Sequence, residues 1–127
     1  MKAICYEGKQ NVAVKNVHEP KILNPGDAII RVTMAAICGS DLHLYNGVIP
    51  SMMKGDILGH ETMGEVVEVG SLVKNVKVGD KIVIPFDIGC GHCSHCEEEE
   101  YSACDNSNPN SMMPEKVYGY SGAGLFG

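Results

Sequence analysis

Four of the six cysteines fall within fifteen residues, at Cys90, Cys93, Cys96 and Cys104, in the spacing C-x2-C-x2-C-x7-C. Thiolates are soft ligands, and four of them satisfy a tetrahedral zinc ion with no open position, which makes a structural site. Gly89 and Gly91 flank Cys90 and allow the tight backbone that turns consecutive sulfurs toward one ion. An iron–sulfur cluster, and with it a small redox carrier, is the rival reading. The bacterial cluster run is C-x2-C-x2-C-x3-C-P. Here the last spacer is seven, and Asp105 rather than proline follows Cys104. His92 and His95 lie between the cysteines and read as exposed spacers rather than as ligands.

A second constellation lies upstream. Cys38-Gly39-Ser40-Asp41-Leu42-His43 follows one apolar run, and Gly59-His60-Glu61-Thr62-Met63-Gly64 precedes another. A thiolate and an imidazole at two strand ends can share one zinc that keeps an open position. By themselves, a lone cysteine and a lone histidine are more often a core thiol and a hydrogen-bonded ring.

The elements that must position these groups are short strands between turns. Runs at 2–7 and 27–37, Val12, Val14 and Val17, and runs at 65–69 and 81–85 have strand character. Pro20, Asn24, Pro25 and Gly26 mark a loop, residues 76–80 a turn, and 38–59 reads as loop. With 15 glycines, no tryptophan and no long helical period, the chain is expected to be mainly β, a small barrel or sandwich. From 89 to 110 the composition shifts to a metal-organised loop lobe, with one helical turn expected around 97–102.

The chain is 127 residues, enough for one domain, and its formal charge of −6 repels phosphate backbones, so no nucleic-acid partner is expected. No apolar run approaches the roughly 18 residues that cross a bilayer, so no membrane partner is expected either. Lys2 and Glu7 come too early for a signal peptide. A cytoplasmic, reducing setting follows, where clustered cysteines bind metal rather than pair as disulfides. Glu97, Glu98, Glu99 and Glu100 read as a solvated acidic face, Met52-Met53 as gap filling and Cys5 as a buried strand residue. The last six residues, 122–127, spell G-x-G-x-x-G. A dinucleotide fingerprint also needs a strand before it, a helix after it and an acid about 20 positions on. The run therefore reads as a loop, and no residue is assigned to cofactor binding.

The order of Cys38-Gly39-Ser40-Asp41-x-His43, Gly59-His60-Glu61-x-x-Gly64 to Gly70, Lys77-Val78-Gly79-Asp80 and the four-cysteine lobe closely resembles the catalytic domain of zinc-dependent medium-chain alcohol dehydrogenases. The run from Cys104 to Pro109 and the tail from Tyr118 look most like the formaldehyde-dehydrogenase-like branch. The resemblance implies a GroES-like, partly open β-barrel with a zinc-binding loop lobe. It implies catalytic-zinc ligands at Cys38 and His60, with Glu61 beside the ion as an alternate ligand. It gives Ser40 the hydrogen bond to the substrate hydroxyl, His43 the next place in a proton relay, and Asp41 an orienting role. Cys90, Cys93, Cys96 and Cys104 match the structural zinc. The implied chemistry is hydride transfer between a small alcohol or aldehyde and NAD(P). The resemblance places the third catalytic-zinc ligand, the Rossmann domain and the segment completing this domain beyond Gly127. Residues 1–127 are thus expected to be a truncated domain, inactive alone, with its catalytic site incomplete and oligomeric state left open. A stand-alone zinc-binding interaction module is the remaining alternative.

Overall fold

The computed structural model describes residues 1–50, 52–86 and 89–105. Strands β1 (Lys2–Gly8) and β2 (Asn11–Asn16) form an antiparallel hairpin. Strands β3 (Ala28–Ala36), β4 (Glu61–Val69) and β5 (Lys81–Ile84) form an antiparallel sheet in that order. Helix α1 (Gly39–Tyr45) follows β3, and the cysteine lobe carries α2 (Ser94–Glu97) and a 3-10 turn at Tyr101–Ala103. The mainly β architecture is as expected, and the two sheets do not close into a barrel among the described residues. The tail and the lobe's final residues, 106–127, including the glycine run at 122–127, lie outside the described residues. No helix among the described residues is long and apolar enough to cross a membrane.

Three elements differ from the expectation. Residues 38–59 are not all loop, because α1 occupies Gly39–Tyr45. Seven residues are too few to show a helical period, and the helix starts because the Asp41 carboxylate accepts the Cys38 N–H at 2.8 Å. That bond satisfies a donor orphaned at every helix N-terminus. Strand β4 begins at Glu61, four residues before the valine run. The pairing Ala36↔Glu61, Ala35↔Thr62 and Met34↔Met63 extends it, so tertiary pairing overrides weak local propensity. In the lobe, helix begins at Ser94 rather than near 97, with Cys93 at its N-cap.

The packing is built around few residues. Val66 of β4, Leu44 of α1, and Cys5 and Tyr6 of β1 are buried. Cys5 thus takes the buried strand position expected of it. The segment 55–58 zips along the free edge of β1: Gly55 N–H donates to Tyr6 O, Tyr6 N–H to Asp56 O, and Leu58 N–H to Ile4 O. On the outer face of the sheet, Met34, Met63 and Val83 lie in one cross-strand row. Met34 and Val83 are largely exposed there.

Gly64 of β4 is paired with Val32 of β3 and has the β3 backbone close beside it. A Cβ there would stand 2.4 Å from Arg31 O, a backbone atom that cannot swing aside. Gly64→Ala is expected to cost about 1–3 kcal/mol in denaturant unfolding; an unchanged midpoint would refute the close approach.

Glu7 is the one carboxylate with two lysine partners among the described residues. Its carboxylate meets Lys15 Nζ and, at 3.2 Å, Lys54 Nζ. The hydrogen bond from Lys15 is the main cause that holds its carboxyl below the ordinary 4.5; burial opposes this, and Lys54 adds to it. A carboxyl lowered on folding stabilises the fold in full above its unfolded value, and that contribution disappears as pH falls through the folded value. The stability difference between the wild type and Glu7→Gln should therefore be full at neutral pH and shrink as pH falls below about 4.3, the unfolded value. Acid titrations followed by circular dichroism check this, and a difference that stays constant from neutral pH down to acid unfolding would contradict it.

Candidate metal centres

Two ligand clusters stand out among the described residues. The sulfurs of Cys90, Cys93, Cys96 and Cys104 all lie within 4.8 Å of one another. Sulfurs about 2.3 Å from a central tetrahedral zinc stand about 3.8 Å apart. Cys93 Sγ and Cys104 Sγ are 3.9 Å apart, so the cage has the size of a zinc–thiolate site. The Cys90 N–H donates to Cys104 Sγ at 3.3 Å, the kind of bond that holds a thiolate in place. Gly91 has φ of +77° and turns the chain between the first two cysteines. Gly89 is equally constrained, since a Cβ there would meet Tyr101 Cδ1 at 3.0 Å and Cys96 Sγ at 3.2 Å.

The histidines of the lobe stay outside the cage. His92 Nδ1 lies 2.8 Å from Cys90 O, and His95 Nδ1 lies 3.3 Å from Glu100 Oε2. Residues 97–100 are exposed. Burial pushes the Cys96 thiol up to about 12, while the backbone N–H groups of Cys96 and Asp105 lower the Cys93 thiol. Cys96 therefore carries its proton at neutral pH when no metal is present, and a metal must displace it.

The second cluster is made by strand register. Pairing Ala36 with Glu61 brings the end of β3 beside the start of β4. Cys38, two residues past Ala36, and His60, one before Glu61, then meet. Ligand atoms of Cys38, His60 and Glu61 lie within 4.8 Å of one another. A one-residue slip would send alternate side chains to the other face and separate them.

Ser40 and Asp41, on the first turn of α1, address the same ring. Ser40 Oγ is 3.1 Å from His60 Nε2. Asp41 Oδ1 is 3.1 Å from His60 Nδ1, and both side chains are almost buried, at 13 % and 7 % exposed. A carboxylate behind Nδ1 fixes the tautomer that offers Nε2 to a metal. The same carboxylate holds the Cys38 backbone through its other oxygen. The thiolate, imidazole and carboxylate fit zinc, and three protein ligands leave an open position. His43 is exposed at the far end of α1, one turn beyond Ser40. His60 and Glu61 also help to line a groove of about 530 Å³, together with Met34, Met63, Val83 and Phe86. Sequence reasoning did not find this groove, because its wall is a cross-strand row. Met52 and Met53 are not among its lining residues.

The four-cysteine site is expected to hold one tight zinc per chain by elemental analysis. Its affinity should rise with pH, because Cys96 must lose a proton. Calorimetry in buffers of different ionisation enthalpy counts the protons released; mainly iron in the lobe, or a pH-independent affinity, would refute the assignment. At the second cluster, Asp41→Asn should weaken cobalt binding by about 10–100-fold. Visible spectroscopy of cobalt titrations reads this, and an unchanged isotherm would remove Asp41 from the site.

Similarity to known proteins places the chain in a family. The chain is 52 % identical over 122 residues to the uncharacterized zinc-type alcohol dehydrogenase-like protein AdhB of Bacillus subtilis, covering 96 % of this chain and 32 % of that protein. It is 38 % identical over 125 residues to the glutathione-independent formaldehyde dehydrogenase of Pseudomonas aeruginosa, covering 94 % of this chain and 31 % of that protein. The alcohol dehydrogenase TADH from Thermus sp. ATN1 superposes with a TM-score of 0.77 at 47 % identity, covering 82 % of this chain and 30 % of that one. The chain thus spans about a third of the length of the curated relatives it matches. Neither the iron–sulfur carrier nor the stand-alone module gains support from these similarities. Residues 24–127 match the family model described as the alcohol dehydrogenase GroES-like domain, and with most of its length matched, the chain belongs to that family, the GroES-like domain of zinc-type alcohol dehydrogenases.

Proposed function

We propose that this chain supplies the metal-binding side of the active site of an NAD(P)-linked oxidoreductase that interconverts small alcohols and aldehydes. The observation that carries the reading is the convergence of Cys38, His60 and Glu61 within 4.8 Å, from segments more than twenty residues apart. Ser40 and Asp41 address the two nitrogens of the same ring. Because the chain spans about a third of its relatives, the whole activity is part of the proposal.

In this reading Cys38 and His60 hold zinc, and Glu61 is the third group able to approach it. A zinc ion bound there supplies a Lewis acid that lowers the pKa of a substrate hydroxyl. Ser40 Oγ accepts the substrate's hydroxyl proton as it releases its own toward His43, one helical turn on, which passes a proton to water. Asp41 keeps the His60 ring in one tautomer and ties the Cys38 backbone to it. The open groove that His60 and Glu61 help to line offers an apolar surface beside the site. Cys90, Cys93, Cys96 and Cys104 hold a second, structural zinc. The nicotinamide falls to a Rossmann domain outside residues 1–127, and a further segment completes this domain. The clustering of four cysteines at metal-ligand spacing and the formal charge of −6 support a cytoplasmic setting without nucleic-acid partners.

Residues 1–127 alone are expected to show no turnover and no micromolar binding of NAD or NADP. Calorimetry with both nucleotides and an absorbance assay with short alcohols and formaldehyde measure this; turnover abolished by Cys38→Ala would overturn it. In a longer protein carrying these residues, Ser40→Ala should lower kcat by about 10²–10⁴-fold with its zinc content intact. Full activity in that variant would remove Ser40 from the relay.

A further inference from the structure

The candidate ligands of the second cluster sit on two segments, and the N-terminal hairpin touches both. One segment is α1, which begins after Cys38. At its far end the Gln10 N–H donates to Tyr45 O at 2.6 Å, and Gln10 Nε2 lies 3.4 Å from Asn46 Oδ1. Gln10 holds φ of +58° to reach this position, a conformation that non-glycine residues adopt only when their surroundings hold them there. A Cβ on Gly47 would meet the Lys9 side chain at 3.2 Å, so turn and helix end are in close contact.

The other segment is 55–58, which runs into His60. Its three backbone hydrogen bonds to β1, at 2.8, 2.8 and 2.9 Å, end at Leu58, two residues before His60. Cys5 and Ile57 form a bridge at its centre. Gly59, with φ of +113°, then turns the chain toward the site. The zipped segment starts beside Lys54, whose ammonium reaches across to Glu7 of β1 at 3.2 Å. Glu7 is 11 % exposed and is also held by Lys15 of β2, so the anchor on the hairpin side is rigid.

We propose that the hairpin is the brace that sets the His60-to-Cys38 spacing, with Glu7 and Lys54 as positioning residues for the second metal centre. This rests on the reading that Cys38, His60 and Glu61 bind metal. The hairpin grips α1 at one end and the His60 segment at the other. Metal affinity at a cluster made from two segments depends on how firmly both are held. The four-cysteine site is local to the lobe and takes none of its ligands from these segments.

The test is cobalt titration of the full 127-residue chain, since a tetrathiolate site and a Cys–His–Glu site have different visible spectra. Lys54→Met and Glu7→Gln are expected to weaken the Cys38–His60 site about tenfold and leave the four-cysteine site within twofold. The double variant should be no weaker than Glu7→Gln alone, because that substitution already removes the contact to Lys54. Lys54→Arg should restore the affinity and the band positions. Equal weakening of both sites, an unchanged second site, or no rescue by Lys54→Arg would each overturn the brace. A wild-type chain that binds cobalt only at the four cysteines would instead overturn the underlying metal reading, and the brace with it.

Discussion

One carboxylate organises the centre of this molecule. Asp41 accepts the Cys38 N–H with one oxygen and faces His60 Nδ1 with the other. Cys38 and His60 come from different elements, and both are held against the same group. A buried carboxylate is expensive to desolvate unless its oxygens find partners. Here one oxygen is taken by a helix N-terminus and the other stands 3.1 Å from an imidazole nitrogen, so the placing of Asp41 also sets the two candidate ligands beside one another. Helix α1 starts there, Ser40 is placed on its first turn, and β3 and β4 must end and begin beside it.

The bond that Asp41 makes to its own turn recurs in three other loops. Asp27 accepts the Asn24 N–H, Asp56 the Met53 N–H and Asp80 the Lys77 N–H, at 2.8, 2.8 and 2.9 Å. In all four turns the aspartate N–H also donates back to the carbonyl of the residue three before it. The turn is thus closed twice, once by backbone and once by side chain. Much of the fold's definition lies in these turns, because the buried core is small. They also give a share of the acidic residues a use in backbone organisation rather than in surface charge.

The lobe solves the small-core problem differently. Its buried residues are Cys96 and Cys104, members of the thiol cage rather than packing groups in the usual sense. Burial pushes the Cys96 thiol up to about 12, so in the metal-free state this member of the cage keeps its proton until a metal ion displaces it. The outer row of Met34, Met63 and Val83 is another consequence of limited packing: one face of the three-stranded sheet meets the core and the other presents apolar side chains.

The four-cysteine cluster was fully legible in the sequence, because its members lie within one short segment and their spacing encodes the geometry. The β class and most strands were legible too, because alternation and turn residues are local signals. Helix α1 was not, since seven residues held by one capping carboxylate leave no period. Nor was the true start of β4, where pairing with β3 overrides weak local propensity. The meeting of Cys38 and His60 could be proposed from resemblance, but composition and spacing do not yield it, because it depends on the register Ala36↔Glu61 across an intervening loop. The approach of Glu7 to Lys54, and of Gln10 to the end of α1, had no sequence signal at all. Contacts between residues about forty positions apart follow from how sheets and turns are stacked, and only the tertiary structure decides that.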